Sequence, residues 1–309
     1  MSITGIDSIT YGVEDVAKCR QFFLDWGLEL AREDGGRLVF ETLNGCEVIV
    51  APKDDAALAP AMESGSTLRE VVWSAETPAD VAAVAERCSG LPGAFHADGV
   101  AGALDPNGLA VKVRVSRKRK IDVRGMPINT WDHAARVDAP STFYDRARPI
   151  EVGHVVFFTD RLAEIEAFYR DRLGFVVSDR YPNRGTFLRT QVEGGHHDLF
   201  LLQLPQAKRG VNHVAFTVRD IHEVFGGGLH ISRCGWDTEI GPGRHPVSSA
   251  YFWYVKNPAG GLAEYYSDED VVTSKWQARE FQPSSENFAE WAILGGIDGN
   301  TRRQKQREH

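Results

Sequence analysis

The sequence predicts an α+β protein of four β-α-β-β-β modules, paired into two barrel-like domains. Three observations carry this prediction. Apolar residues switch between a period of two and a period near 3.6 in a fixed order. That order of segments returns four times along the chain. The 309 residues suffice for two domains of ordinary size.

The clearest module starts at Val152, "VGHVVFFTDRLAEIEAFYRDRLGFVVSDRY". Gly153 to Phe158 reads as a strand. Arg161 to Leu173 reads as a helix, with Leu162, Ile165, Phe168, Tyr169 and Leu173 on one face and Gly174 as its C-cap. The short runs "FVVSD", "GTFLRT" and "HDLFLLQL" then read as three strands separated by turn residues. The pattern restarts at Val211 with "VNHVAFTVRDIHEVF", followed by "SSAYFWYV" and "GGLAEYYS". Two earlier copies match it: Gly5 to Ala31 resembles the Val152 segment, and Thr67 to Glu86 resembles the Val211 segment. "DPNGLAVKV" near Asp105 parallels "NPAGGLAEYY" near Asn257. The expected division is an N-terminal domain over 1–115, a polar linker over 116–149, a catalytic domain over 150–270, and a C-terminal extension with a frayed polar tail over 271–309.

Composition narrows the function. With 42% apolar and 25% charged residues, the chain is of ordinary globular type. The net charge of -8 disfavours nucleic acid as a partner, and "RKRK" at Arg117 to Lys120 reads as a solvated strand end or linker. No apolar run is long enough to span a membrane, and the N-terminus has no basic region followed by an apolar one. Cys19, Cys46, Cys88 and Cys234 are scattered without C-x-x-C spacing, which fits a reducing cytoplasm.

His154 and His213 are each the third residue of equivalent strands, "VGHVVFF" and "VNHVAFT". Alternate strand residues share a face, so His154 lies with Val156 and Phe158, and His213 with Ala215 and Thr217. Glu264 lies with Leu262 and Tyr266 in the last strand of the fourth module. A carboxylate in an apolar strand is costly unless compensated. Two inward histidines and one inward glutamate satisfy each other around a divalent metal. This is the 2-His-1-carboxylate set that holds Fe(II) and leaves positions open. Mn(II) takes the same ligands. The first half carries Ser8, Glu70 and, by its Gly-Leu-Ala letters, Val111 at the matching places, a set that cannot hold the ion.

With these residues identified, the chain resembles the type I extradiol ring-cleaving dioxygenases of the vicinal oxygen chelate superfamily, over about residues 1–270. The resemblance lies in "GHVVFF", "FYRDRLGF", "FLRTQVEGGHHDLFLL", "VNHVAF" and "GRHPVSSAYFWYVKNPAGGLAEYY". It includes a histidine nine residues before a tyrosine, which stands ten before the metal glutamate: His245, Tyr254, Glu264. The resemblance implies that His154, His213 and Glu264 bind Fe(II). It implies that His197 is the acid–base residue beside the oxygen site, and that His245 and Tyr254 hydrogen-bond the substrate oxygens. It further implies a catechol and O2 as substrates, and a homo-oligomer.

Strand parity does not choose between His196 and His197, and the family pattern favours His197. Arg244 is a candidate for a substrate carboxylate, though a surface arginine is the plainer reading. Phe187 and Trp253 fit a ring pocket and a core equally. His222 and His230 are expected to be exposed, and His96 and His133 have no repeat partner. Lys275 to Ile293 is aromatic and caps the mouth of the site or meets a neighbouring subunit. Rival readings are a glyoxalase-like isomerase, a thiol transferase, an enzyme resembling 4-hydroxyphenylpyruvate dioxygenase, and a metal-free protein of the bleomycin-sequestering kind. None of these rivals needs His197, His245 and Tyr254 together.

Overall fold

The computed structural model of the protein describes residues 2–297; the tail from Gly299 lies outside them. The first half contains β1 (Ile3–Val13), α1 (Val16–Asp25), β2 (Glu29–Asp34), β3 (Arg37–Glu41) and β4 (Glu47–Pro52). It continues with β5 (Thr67–Ala75), α2 (Pro78–Cys88), β6 (Phe95–Ala97), β7 (Val100–Leu104) and β8 (Ala110–Val115). The second half contains β9 (Glu151–Phe158), α3 (Leu162–Leu173), β10 (Val176–Tyr181), β11 (Gly185–Arg189), β12 (Gly194–Gly195) and β13 (Leu199–Leu202). Its other module is β14 (Gly210–Thr217), α4 (Ile221–Arg233), β15 (Thr238–Arg244), β16 (Tyr251–Lys256) and β17 (Leu262–Ser267). The extension adds β18 (Val271–Val272), β19 (Arg279–Glu280), α5 (Ser285–Phe288) and β20 (Trp291–Leu294).

Local chemistry sets these limits. Asp15 caps α1 and Asp220 caps α4 through their carboxylates, and Thr77 and Asp80 form a capping box on α2. Gly174 ends α3 with a positive φ of 80°, the left-handed turn expected of it.

Each module begins on a strand that pairs in parallel with its last strand: β1 with β4, β5 with β8, β9 with β13, β14 with β17. Parallel pairing needs a crossover, which the helix supplies. Modules meet along antiparallel seams, β1 with β5 and β9 with β14. The result is an eight-stranded sheet, β2-β3-β4-β1-β5-β8-β7-β6, and a ten-stranded sheet, β19-β10-β11-β13-β9-β14-β17-β16-β15-β20.

One buried core runs through both halves, with Ile9, Tyr11, Val155, Phe157, Val214 and Phe216 on the helix-facing sides of the central strands. Trp26 stacks on Tyr265 at 3.6 Å between ring centroids, and the Tyr265 hydroxyl donates to the Trp26 carbonyl. The halves are also laced by polar bonds: the Tyr169 hydroxyl donates to Asp105, and Asn107 donates to the Phe158 carbonyl. Residues 116–150 form no helix or strand. The basic run there meets acidic and carbonyl groups, Lys118 at the Thr4 carbonyl and Arg119 at Glu41.

The extension reaches the cavity, one of the two placements that the sequence leaves open. β19 pairs with β10 at one edge of the large sheet, and β20 pairs with β15 at the other. The chain between them crosses the open side of the curled sheet and caps it. No helix among the described residues is long and apolar enough to cross a membrane.

The register corrects the expected counterpart of Glu264. In the second half His213 pairs with Leu262 and Ala215 with Glu264. In the first half Glu70 pairs with Ala110 and Val72 with Lys112. Lys112, not Val111, therefore occupies the third position. The letters mislead because the count starts at the turn. Asp105 N–H donates to the Leu109 carbonyl as Asn257 N–H donates to that of Gly261, so Leu109 matches Gly261 rather than Leu262. Val111 is buried in the core.

Candidate active site

The ten-stranded sheet curls around a cavity of about 590 Å³. Strands from β9 to β17 contribute inward side chains to it: His154 and Val156, Phe187, Phe200 and Leu202, His213, Ile240, Tyr254, Leu262 and Glu264. α5 and the segment before it close one side with Pro283, Ser284, Asn287 and Phe288.

His154, His213 and Glu264 converge at the wall of this cavity, all buried. His154 Nε2, His213 Nε2 and Glu264 Oε2 form a triangle with each side 3.2 Å. Three ligands at right angles, about 2.1 Å from a divalent ion, stand about 3 Å apart. Both carboxylate oxygens of Glu264 and Nδ1 of His154 are buried without a hydrogen-bond partner. An uncompensated buried carboxylate costs several kcal/mol. These orphaned atoms and the spacing fit an ion at the triangle.

The protonation states suit the same role. Burial, reinforced by His197, pushes His154 down to about 4, and burial lowers His213. Both rings are neutral near pH 7, as ligands must be. Burial acts to raise Glu264, but the imidazoles of His154 and His213 outweigh it and hold the carboxyl well below its usual range. The donor set thus carries one negative charge. Asn212 Oδ1 lies 2.6 Å from His213 Nδ1; with the proton on that nitrogen, Nε2 is left bare for the ion.

His197 lines the cavity with its ring centroid 4.2 Å from that of His154. Its Nδ1 lies 2.8 Å from Glu269 Oε1. His196 turns the other way: its ring is fully buried and its Nε2 lies 2.8 Å from Asp179 Oδ2. Sequence reading missed Glu269 and Asp179. Glu269 sits in "SDED", which reads as a solvated acidic run. A signal was available in the double glycine before the histidines. A Cβ at Gly195 would lie 2.6 Å from Glu269 Oε2, so glycine is what lets this carboxylate approach.

His245 and Tyr254 meet at the opposite wall. The Phe288 carbonyl can only accept, so the 2.7 Å contact places a proton on His245 Nδ1. In the neutral ring Nε2 is then bare and accepts from the Tyr254 hydroxyl at 3.0 Å. Burial, with Glu264 nearby, raises the Tyr254 pKa well above its ordinary value and keeps it a donor.

The remaining candidates separate cleanly. Phe187 lines the cavity, stacked on Phe200 at 4.0 Å. Trp253 is fully buried in the core, against Gly228 of α4, where a Cβ would come within 2.0 Å of the indole. Arg244 pairs with Glu290 and does not line the cavity. His222 and His230 are half-buried on α4 rather than exposed, because that helix packs on the sheet; His96 and His133 are exposed. Two other groupings have ligand atoms within 4.8 Å: His154 with His197 and Glu269, which shares the cavity wall, and Asp25 with His230 and Cys234, away from it.

Comparison with known proteins fits this geometry. The model of the Glyoxalase/Bleomycin resistance protein/Dioxygenase superfamily matches residues 151–265. Metapyrocatechase 2 of Cupriavidus necator is 30% identical over 195 residues, 60% of this chain and 58% of that protein. The manganese-dependent 2,3-dihydroxybiphenyl 1,2-dioxygenase of Geobacillus genomosp. 3 is 27% identical over 150 residues, 43% of this chain and 46% of its own. The chain thus spans less than two thirds of the length of either relative. Among solved structures, the Mn(II)-bound glyoxalase from Novosphingobium aromaticivorans superposes with a TM-score of 0.73 at 24% identity, covering 95% of this chain and 93% of that one. The 2,2',3-trihydroxybiphenyl 1,2-dioxygenase from Sphingomonas wittichii strain RW1 gives 0.69 at 19% identity, covering 96% and 100%. At these identities the two structures speak to the fold, which is that of the vicinal oxygen chelate proteins. Residues 151–265, which supply His154, His197, His213, His245, Tyr254 and Glu264 to the cavity, are thus the part of the chain that matches the glyoxalase, bleomycin resistance protein and dioxygenase superfamily.

Proposed function

We propose that the chain is an extradiol dioxygenase that opens a catechol ring next to its hydroxyls, in the catabolism of aromatic compounds. The observation that carries this reading is the join of two sets on one cavity: the triangle of His154, His213 and Glu264, and the proton-handling group of His197, His245 and Tyr254. An isomerase or a binding protein of this fold would use the first set or neither.

In this reading His154, His213 and Glu264 hold Fe(II), with Mn(II) the alternative suggested by the manganese-dependent relative. The ion, when bound, would supply the Lewis-acid and redox chemistry that brings a deprotonated catechol and O2 to reaction. The residues do the rest. Tyr254, whose hydroxyl donates to His245 in the free site, turns that hydrogen bond to the substrate oxygens when the ring binds and steadies charge there. His245, held by the Phe288 carbonyl, orients Tyr254 and takes part in the same hydrogen bonding. His197 takes a proton from the catechol and returns it to the oxygen released when the ring opens, the task of an imidazole with one nitrogen free to accept and donate. The strap over residues 281–288 and the apolar walls exclude water. The cavity is roughly four times the ~150 Å³ that accommodates a benzene. With Phe187, Phe200, Leu202 and Val156 as its lining, it fits a catechol bearing an apolar substituent.

Residues 1–115 serve in this reading as a domain without a metal site, 116–149 as the linker and 150–270 as the catalytic domain. Assembly into a homo-oligomer is supported by the exposed linker side chains Ile128, Trp131, Val137 and Phe143. A cytoplasmic location accords with the free cysteines.

The test is anaerobic reconstitution with Fe(II) or Mn(II), then air and a panel of catechols. A yellow ring-fission product with stoichiometric oxygen uptake is expected. Turnover of a thiol adduct or an oxo acid, with no uptake on any catechol, overturns the reading.

A further inference from the structure

We propose that His196, the first histidine of the adjacent pair, is a positioning residue that fixes the tautomer of His197 and leaves His197 Nε2 as its proton acceptor. The argument follows a chain of hydrogen bonds from the protein surface to the cavity.

It starts at Arg279 in β19. Its backbone N–H, Nε and Nη2 all donate to the Asp179 carboxylate, at 2.7, 3.0 and 2.6 Å. Burial acts to raise Asp179, but His196 and Arg279 outweigh it and keep the carboxyl ionised. An ionised carboxylate only accepts. The 2.8 Å contact to His196 Nε2 therefore fixes a proton on that nitrogen. The His196 ring is fully buried, edge-on to Phe187 and Trp276, and burial lowers its pKa. It is neutral, so its Nδ1 carries a bare lone pair.

That lone pair lies 3.2 Å from Nδ1 of His197. Two bare nitrogens would repel, so His197 must carry its proton on Nδ1 and donate. Glu269 Oε1, 2.8 Å from the same nitrogen, favours a proton there and faces the charge that His197 gains when it accepts a second one. No hydrogen bond among the described residues engages His197 Nε2. It is the nitrogen free to work in the cavity. The backbone holds the register: Ser178 Oγ donates to the His196 carbonyl, and Arg189 donates to Ser178 Oγ.

The adjacent pair is thus a relay of orientation. The carboxylate sets the first ring and the first ring sets the second, the logic by which an outer partner selects the working tautomer of a histidine.

The kinetic half of the test rests on the dioxygenase reading; the spectroscopic half does not. Histidine ring nitrogens labelled with ¹⁵N are observed in the metal-free and Zn(II)-loaded protein. His197 is expected to carry its proton on Nδ1, and His196→Phe is expected to admit the other tautomer. In the metal-loaded enzyme His196→Phe should retain the ion, hold KM within about twofold and lower kcat by about 10–100-fold. A wild-type His197 protonated on Nε2 overturns the proposal, and this needs no variant to fold. So does a folded His196→Phe protein with unchanged tautomer and unchanged kcat. The expected tautomer in a protein that cleaves no catechol supports the relay while removing the dioxygenase reading.

Discussion

The two halves of this molecule place different chemistry on one scaffold. At equivalent positions the second half has His154, His213 and Glu264, and the first has Ser8, Glu70 and Lys112. Where the Glu264 carboxylate is buried without a hydrogen-bond partner in one half, Lys112 and Glu70 pair at 2.6 Å in the other. Both arrangements solve the same problem, a carboxylate on the inner face of a sheet. The first half neutralises it with an ammonium from the neighbouring strand. The second leaves it for an ion, with Glu264 1% and Glu70 19% exposed at the side chain. The comparison teaches that the module tolerates either solution, because the core on its other face is unaffected.

The sharpest way to break this contrast is to remove a ligand. His213→Ala is expected to lose the bound metal and with it all turnover, as read by metal analysis on desalted protein beside an oxygen electrode. Retention of a full equivalent of metal would transfer the site elsewhere. His197→Ala should separate the two sets: metal content unchanged, turnover reduced by about 10²–10⁴-fold. Loss of metal in that variant would instead favour the grouping with His154 and Glu269.

A third prediction uses the matched turns that begin β8 and β17. Asp105 and Asn257 cap the same bend, each accepting from the backbone N–H two residues on. In the buried site, desolvation pushes Asp105 up to about 6 from 3.8 despite its hydrogen bonds. Its folded pKa is the higher one, so the folded state holds the proton more tightly. The stability this contributes is present below about pH 4 and is lost as pH rises through about 6. Asp105→Asn makes the first turn like the second. Urea midpoints from pH 4 to 7 should show the wild type losing, relative to the variant, on the order of 2–3 kcal/mol. Parallel curves would show that Asp105 is ionised throughout.

The smallest effect is expected at Lys112→Met. Its pair with Glu70 is partly solvated, and such pairs contribute at most about 1 kcal/mol. Metal content and turnover should match the wild type, with a shift in Tm of a few degrees at most. A large loss of activity would mean that the first half communicates with the site.

Much of this was legible in the sequence for one reason: repetition converts position into information. His154 and His213 stand out because two modules place the same rare residue at the same strand position. Glu264 stands out as a carboxylate amid apolar neighbours. Other features were hidden because their partners lie far away along the chain. Asp179 finds His196 seventeen residues on and Arg279 a hundred on, and neither spacing has a local signature. The letters point to Val111 rather than Lys112 because they run across a turn whose length in residues only the hydrogen bonds define.

By itself, the sequence determined the module, its fourfold return and the strand positions of His154, His213 and Glu264, since strand and helix periods are local properties of the chain. Tertiary structure decided which histidine of the pair faces the cavity, which carboxylate stands behind each, and that the C-terminal extension caps the site. Those choices depend on hydrogen bonds and packing between segments that meet only when the sheet curls, and no local period encodes them.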